Sequence, residues 1–136
     1  MLENLSVQEI VSHILSKKIS PEEVADYYLN RIRKLNPVLN AIVSLKDEDL
    51  IKDEVKHIKQ KDKDVKALLF GLPLAIKDLT DAEGLPTTYG LKKFKNNLPS
   101  KNSIMVDRLI SHGAIIIGKT NTPELGLGSH TTNKLF

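Results

Sequence analysis

The stretch Gly71 to Gly90, GLPLAIKDLTDAEGLPTTYG, restricts this chain more than any other, because it drives a lysine out of an apolar segment and straight into turn residues. Leu72, Leu74 and Ile76 alternate with Pro73, Ala75 and Lys77 over a segment too short for a helix, which predicts a strand with its apolar positions on one face. Lys77 ends that strand, its stem expected to be buried and its amine to face the sheet edge. Directly after it, Asp78, Thr80 and Asp81 offer side-chain oxygens to nearby backbone, and Gly84, Pro86 and Gly90 interrupt regular structure. Open α/β sheets place their chemistry at strand ends that feed such loops.

A lysine acts as a base or nucleophile only when it spends time neutral, and desolvation is the physical route to that state. At Lys77 this competes with a plainer role, in which the stem caps the strand and the ammonium reaches water. If the lysine is chemical, two uses are open: a general base, or an amine that condenses with a carbonyl as a Schiff base.

The second half of the chain supplies a partner strand. Ser103 caps a helix carrying Met105, Val106, Leu109 and Ile110, and Gly113 takes the left-handed position that ends it. Ala114 to Ile117 then reads as a fully apolar strand of the kind buried in parallel sheets, giving a βαβ unit with the Lys77 strand. Gly113 to Thr120 also spells a phosphate-loop pattern, but the mechanism fails. The four intervening residues are themselves the apolar strand, and Asn121-Thr122-Pro123 stands where a helix would have to run. Thr120, Asn121 and Glu124 fall on the same sheet edge as Lys77 if the strands are parallel, so Asp78, Thr120 and Asn121 are the candidate supporting residues. Ser129 and His130 are adjacent and point to opposite faces of extended chain, which disqualifies them as a nucleophile and base pair.

Toward the amino terminus, Ser6 and Glu9 form a capping box before a helix that runs to Lys17 or Lys18. Ser20 caps a second helix with Pro21 at its first position and acids in its first turn, expected to end at Asn36-Pro37. Val38 to Leu45 is a short β-prone piece, and Asp47 to Gln60 resumes helical spacing through Leu50 or Ile51, Val55 and Ile58. Residues 61–66 read as a charged loop. The division expected is one domain: a helical lead over 1–66 and a strand-loop-helix-strand region over 67–136.

Composition excludes several classes. The 20 basic and 17 acidic residues are interleaved and aromatics are 4%, unlike the basic stripe with stacking rings that nucleic acid selects. No apolar run approaches the ~20 residues of a membrane span. The amino terminus lacks a basic start followed by an apolar core, so the expected address is cytoplasmic. There is no cysteine, hence no disulfide or thiolate chemistry, and the four histidines lie singly, so no metal and no cofactor are expected.

The blocks Gly71-Leu-Pro-Leu-Ala-Ile-Lys77-Asp78, Gly84-Leu-Pro-Thr-Thr88 and Gly113-Ala-Ile-Ile-Ile-Gly-Lys-Thr-Asn-Thr-Pro-Glu124 resemble, in order and spacing, the opening third of an amidase signature enzyme. The resemblance implies an α/β fold, here the amino-terminal portion of a mixed sheet flanked by helices and incomplete by itself. It implies that Lys77 is the general base of a Ser-Ser-Lys triad whose two serines lie beyond Phe136, in a chain that hydrolyses small carboxylic amides through an acyl-enzyme. On its own the chain is expected to be inactive, and its partners are expected to be the missing carboxy-terminal part or a second copy of itself. A fragment resembling the glutamyl-tRNA amidotransferase subunit of this family, or an inactive split gene product, is the alternative. Thr122-Pro123-Glu124-Leu125-Gly126 is more like the general amidases. The acidic residue that related enzymes usually carry near Asn102 or Ser103 is missing here.

Overall fold

The computed structural model describes residues 2–60 and 67–136, so the expected charged loop at 61–66 lies outside the described residues. Helix α1 (Val7–Leu15) begins at the expected capping box, with Ser6 and Glu9 bonding each other's backbone amides. Helix α2 (Pro21–Leu39) begins at a second one, formed by Ser20 and Glu23. Each box satisfies two amides that the first helical turn leaves without partners. α1 ends at Leu15, slightly short of the expected lysines.

α2 corrects a sequence expectation, for it runs through Pro37 instead of stopping before it. So near the carboxyl end, the missing proline N–H removes only one ladder bond. Asn36 compensates locally: its amide donates to the Ile42 carbonyl and its oxygen accepts from the Ile42 amide, both at 2.8 Å. Asn40, left-handed at φ 48°, then closes the helix by donating to the Asn36 carbonyl at 2.8 Å. This extension shortens the β-prone piece to β1 (Ile42–Leu45). Helix α3 (Glu48–Gln60) follows, with Ile51 and Val55 buried and Leu50 turned to solvent.

Strands β2 (Pro73–Lys77) and β3 (Ile115–Thr120) enclose helix α4 (Ile104–Ser111), with β3 in the middle of a three-stranded sheet ordered β1-β3-β2. β2 and β3 are parallel, as the βαβ reading requires, and β1 is antiparallel to β3. Ser103 caps α4 by accepting from the Val106 amide, and Gly113 follows at φ +88°. The register is set early, where the Gly71 amide donates to the Gly113 carbonyl and the Ile115 amide to the Leu72 carbonyl, each at 2.9 Å. A Cβ on Gly113 would lie 2.9 Å from the Phe70 Cα, so the close approach also needs glycine.

The two sheet faces carry separate cores. On one, Ile115, Ile117 and Leu72 meet Ile10, Val24, Leu29, Ile51 and Val55 from α1, α2 and α3. On the other, Ile76 and Ile116 meet Val106 of α4 and Ala82 and Leu85 of the loop after β2. Leu72 and Ile76 therefore serve different cores, with Leu74 touching both, rather than sharing the single apolar face expected from their alternation. Leu72 precedes β2, whereas Leu74 and Ile76, two apart within the strand, both reach the second core. The irregularity lies in β3: Leu74 is opposite Ile116 but Ala75 is opposite Gly118, so β3 carries one extra residue, and such a bulge exchanges the faces of β3 beyond it.

Gly118 sits at that bulge with β1 pressed against it: an added Cβ would fall 2.5 Å from the Ser44 carbonyl oxygen and 3.3 Å from the Leu45 Cα. Backbone cannot yield there without opening the β1-β3 ladder. Gly118→Ala is expected to cost about 1–3 kcal/mol, the range of an overpacked interior, seen as a lower urea midpoint with unchanged slope. Ser20→Ala, which removes one cap of α2, is expected to cost about 1 kcal/mol in the same measurement.

Candidate active site

The carboxyl ends of β2 and β3 lie side by side, Lys77 paired in register with Thr120. Beyond the strands the ladder continues for one bond, from the Asp78 amide to the Thr120 carbonyl at 3.0 Å. Lys77, Thr120 and Asn121 thus occupy one edge, as the parallel reading expects. Lys77 differs from expectation in burial: the residue is exposed, with no side-chain hydrogen bond to the described residues. β2 is the outer strand of the described sheet, so no described strand pairs along its free side.

Asp78, next along the chain, is wholly buried. One of its carboxylate oxygens accepts from the Thr88 amide at 2.8 Å and the other accepts from the Thr88 hydroxyl, while its carbonyl accepts from the Tyr89 amide at 3.1 Å. The loop after β2 is thereby folded back onto the residue that starts it. Thr88 passes the constraint on, its hydroxyl oxygen accepting from the Gly90 amide at 3.1 Å. The Asx-type role expected of Asp78 is present, but it reaches ten residues forward instead of two.

The residue that sequence reasoning passed over is Lys119. Its side chain is 0% exposed, beneath the same loop, and its amine donates to the Thr80 carbonyl at 2.8 Å, the Pro86 carbonyl at 3.2 Å and the Thr87 hydroxyl at 2.9 Å. Asp78 lies 3.7 Å away as its ion-pair partner. Burial pulls the Lys119 ammonium below the usual lysine range, and Asp78 and Asp81 act in the opposite sense. The signal is present in the sequence, because a lysine following the apolar run Ile115 to Ile117 meets the same criterion that singles out Lys77. The phosphate-loop pattern around it obscures that signal. With its donors consumed inside a closed cage, Lys119 does not face a substrate directly. The phosphate-loop geometry is absent too: Gly118, Lys119 and Thr120 belong to strand β3.

Asn121 links three segments. Its amide side chain donates to the Asn40 carbonyl at 3.1 Å, and its oxygen accepts from the Thr122 amide and from Asn133, both at 2.8 Å. Two non-glycine residues with left-handed backbone, Tyr89 at φ 55° and Leu125 at φ 53°, meet across the loops that follow β2 and β3, the Leu125 amide donating to the Tyr89 carbonyl at 2.8 Å. Strained residues of this kind persist only where surroundings hold them. Ser129 and His130 are exposed on the trailing loop. Asn102, standing where the acidic residue was expected, accepts from the Glu83 amide at 2.7 Å and donates to Asp107 at 3.0 Å, so it still ties the loop to α4.

Known proteins are similar to this chain in sequence and in fold. The chain is 39% identical over 133 residues to an acylamidase of Rhodococcus erythropolis, and 35% identical over 141 residues to a glutamyl-tRNA(Gln) amidotransferase subunit of Caldanaerobacter subterraneus. These alignments cover 97% and 99% of the chain but 28% of each relative, so the chain spans just over a quarter of their length. The fold superposes on the native peptide amidase of Stenotrophomonas maltophilia with a TM-score of 0.82 and 25% identity, over 90% of the chain and 26% of that enzyme. The family model described as Amidase matches residues 23–136, and the chain belongs to the amidase family.

Proposed function

We propose that this chain is the part of an amidase that supplies the general base, Lys77, for hydrolysis of carboxylic amides through a serine acyl-enzyme. The observation that carries the reading is the position of Lys77, the last residue of β2, open to solvent on the edge shared with Thr120 and beside a loop held rigid by Asp78. A neutral Lys77 amine takes a proton from a bridging serine, which in turn activates the attacking serine, and backbone amides stabilise the tetrahedral oxyanion. Both serines belong to sequence outside these 136 residues. Covering Lys77 with that sequence would also desolvate it, lowering its pKa toward the range a base needs.

Membership of the family favours hydrolysis of a carbon-nitrogen bond over the Schiff-base alternative. Borohydride trapping of a carbonyl substrate on Lys77 would reverse that preference. An amidotransferase-like assignment is supported by relatives at similar identity, whereas Thr122-Pro123-Glu124-Leu125-Gly126 favours a general amidase.

The chain alone should turn over no simple aryl amide and take no serine-directed fluorophosphonate label; labelling that disappears in Ser129→Ala would show that the trailing loop carries a nucleophile after all. In a protein that joins this chain to the downstream serines, Lys77→Ala is expected to lower kcat/KM at least about a thousand-fold and to abolish the acidic limb of the pH-rate profile. A profile unchanged by that substitution removes Lys77 from the mechanism.

A further inference from the structure

The buried cage around Lys119 has a consequence for Lys77 that goes past the assignment of the base. We propose that Lys119 is a positioning residue for Lys77, tying down both ends of the loop that follows β2 and neutralising the Asp78 carboxylate that stands next to Lys77 in the chain. The inference rests on the reading of Lys77 as the base only for its catalytic meaning; the coupling itself is a property of this fold.

Geometry carries the first half. Lys77 is held on its amino side by β3, through the Thr120 register, and on its carboxyl side by the turn in which the Thr80 amide donates to the Lys77 carbonyl at 3.0 Å. Thr80 in turn offers its carbonyl to the Lys119 amine, which also holds Pro86 and Thr87 at the far end of the loop. One ammonium therefore spans the loop at both ends. The bulge in β3 puts it there, for without the extra residue Lys119 would face the side occupied by Ile117.

Charge carries the second half. Among the described residues, the charged groups that face Lys119 at this strand end are Asp78 and Asp81, both from the loop. Asp78 is wholly buried, and one oxygen of half-buried Asp81 is buried without a hydrogen-bond partner. An uncompensated carboxylate beside Lys77 would favour its ammonium and hold the amine out of use as a base. Lys119, 3.7 Å from Asp78, supplies the compensation from inside the fold, where solvent does not screen it.

The test reads the Lys77 amine directly in the 136-residue chain, by NMR titration of isotopically labelled lysine, with Lys77→Ala used for assignment. Lys119→Met is expected to raise the Lys77 titration midpoint by several tenths of a pH unit, since an anion is left beside it and exposure limits the effect. Asp78→Asn is expected to lower it, the Lys119→Met/Asp78→Asn double variant to return it toward wild type, and Lys119→Arg to leave it in place. Amides of Thr80, Thr88 and Tyr89 should exchange faster in Lys119→Met; a merely structural lysine would change exchange without moving the titration. If Lys119→Met does not fold, the comparison of Asp78→Asn with the double variant reads the same Lys119 charge. Equal Lys77 midpoints in either pair overturn the proposal. No turnover is measured, so this result and the Lys77→Ala assay can fail separately.

Discussion

Burying an ammonium costs several kcal/mol unless hydrogen bonds and a counter-charge replace the water it leaves, and much of this structure exists to meet that condition at Lys119. Two carbonyls, a hydroxyl and the Asp78 carboxylate surround the amine. Those groups come from the loop after β2 and can converge only if the loop closes on itself, which the Asp78 to Thr88 bonds bring about. The cage and the loop thus stabilise each other, and neither makes sense alone. Because burial lowers the Lys119 pKa in the folded state, the unfolded chain binds that proton more tightly. The cost is therefore fully present below the folded-state pKa and is relieved as pH rises from there toward the unfolded value.

The bulge in β3 is the backbone counterpart of this cage. A strand with unbroken alternation would send Ile115, Ile117 and Lys119 to the same face, placing an ammonium among the side chains of α1, α2 and α3. One extra residue, accommodated at Gly118 where β1 leaves no room for a Cβ, keeps the isoleucines in the apolar core and turns the lysine to the polar loop. Edge and centre also divide the chemistry: β3, paired on both sides, buries its lysine, whereas β2, at the edge of the described sheet, exposes its own.

What the sequence made legible follows from how local each signal is. The capping box at Ser6, the Ser20 and Ser103 caps and the left-handed Gly113 are written in four or fewer residues, and all of them appear in the fold. The parallel pairing of β2 with β3 was legible because an apolar run that lacks alternation demands cover on both faces. Pro37 misled because the rule for proline weighs one lost bond and not the Asn36 side chain that replaces it. The bulge escaped because it depends on a register between segments about forty residues apart. Lys119 escaped because Gly-Lys-Thr invites a phosphate-loop reading, and the failure of that reading says nothing about where the lysine is buried.

The pairing of an exposed and a buried lysine on neighbouring strands also clarifies what each can contribute. Desolvation is available to Lys119 already, but so is a complete set of acceptors, and an amine whose three donors are engaged has no lone pair to offer a substrate. Lys77 has the opposite profile: access without desolvation. A base needs both, so the proposed role of Lys77 requires cover over the β2 edge in addition to the compensated carboxylate at Asp78. Rigidity there matters as much as charge, since a base displaced by about 1 Å loses much of its advantage. The Tyr89 and Leu125 backbones, held in left-handed conformations by a bond between the two loops, tie the loops at this edge to each other. Among the described residues this strand end therefore combines a buried Asp78–Lys119 ion pair with an exposed apolar flank at Leu125 and Leu127.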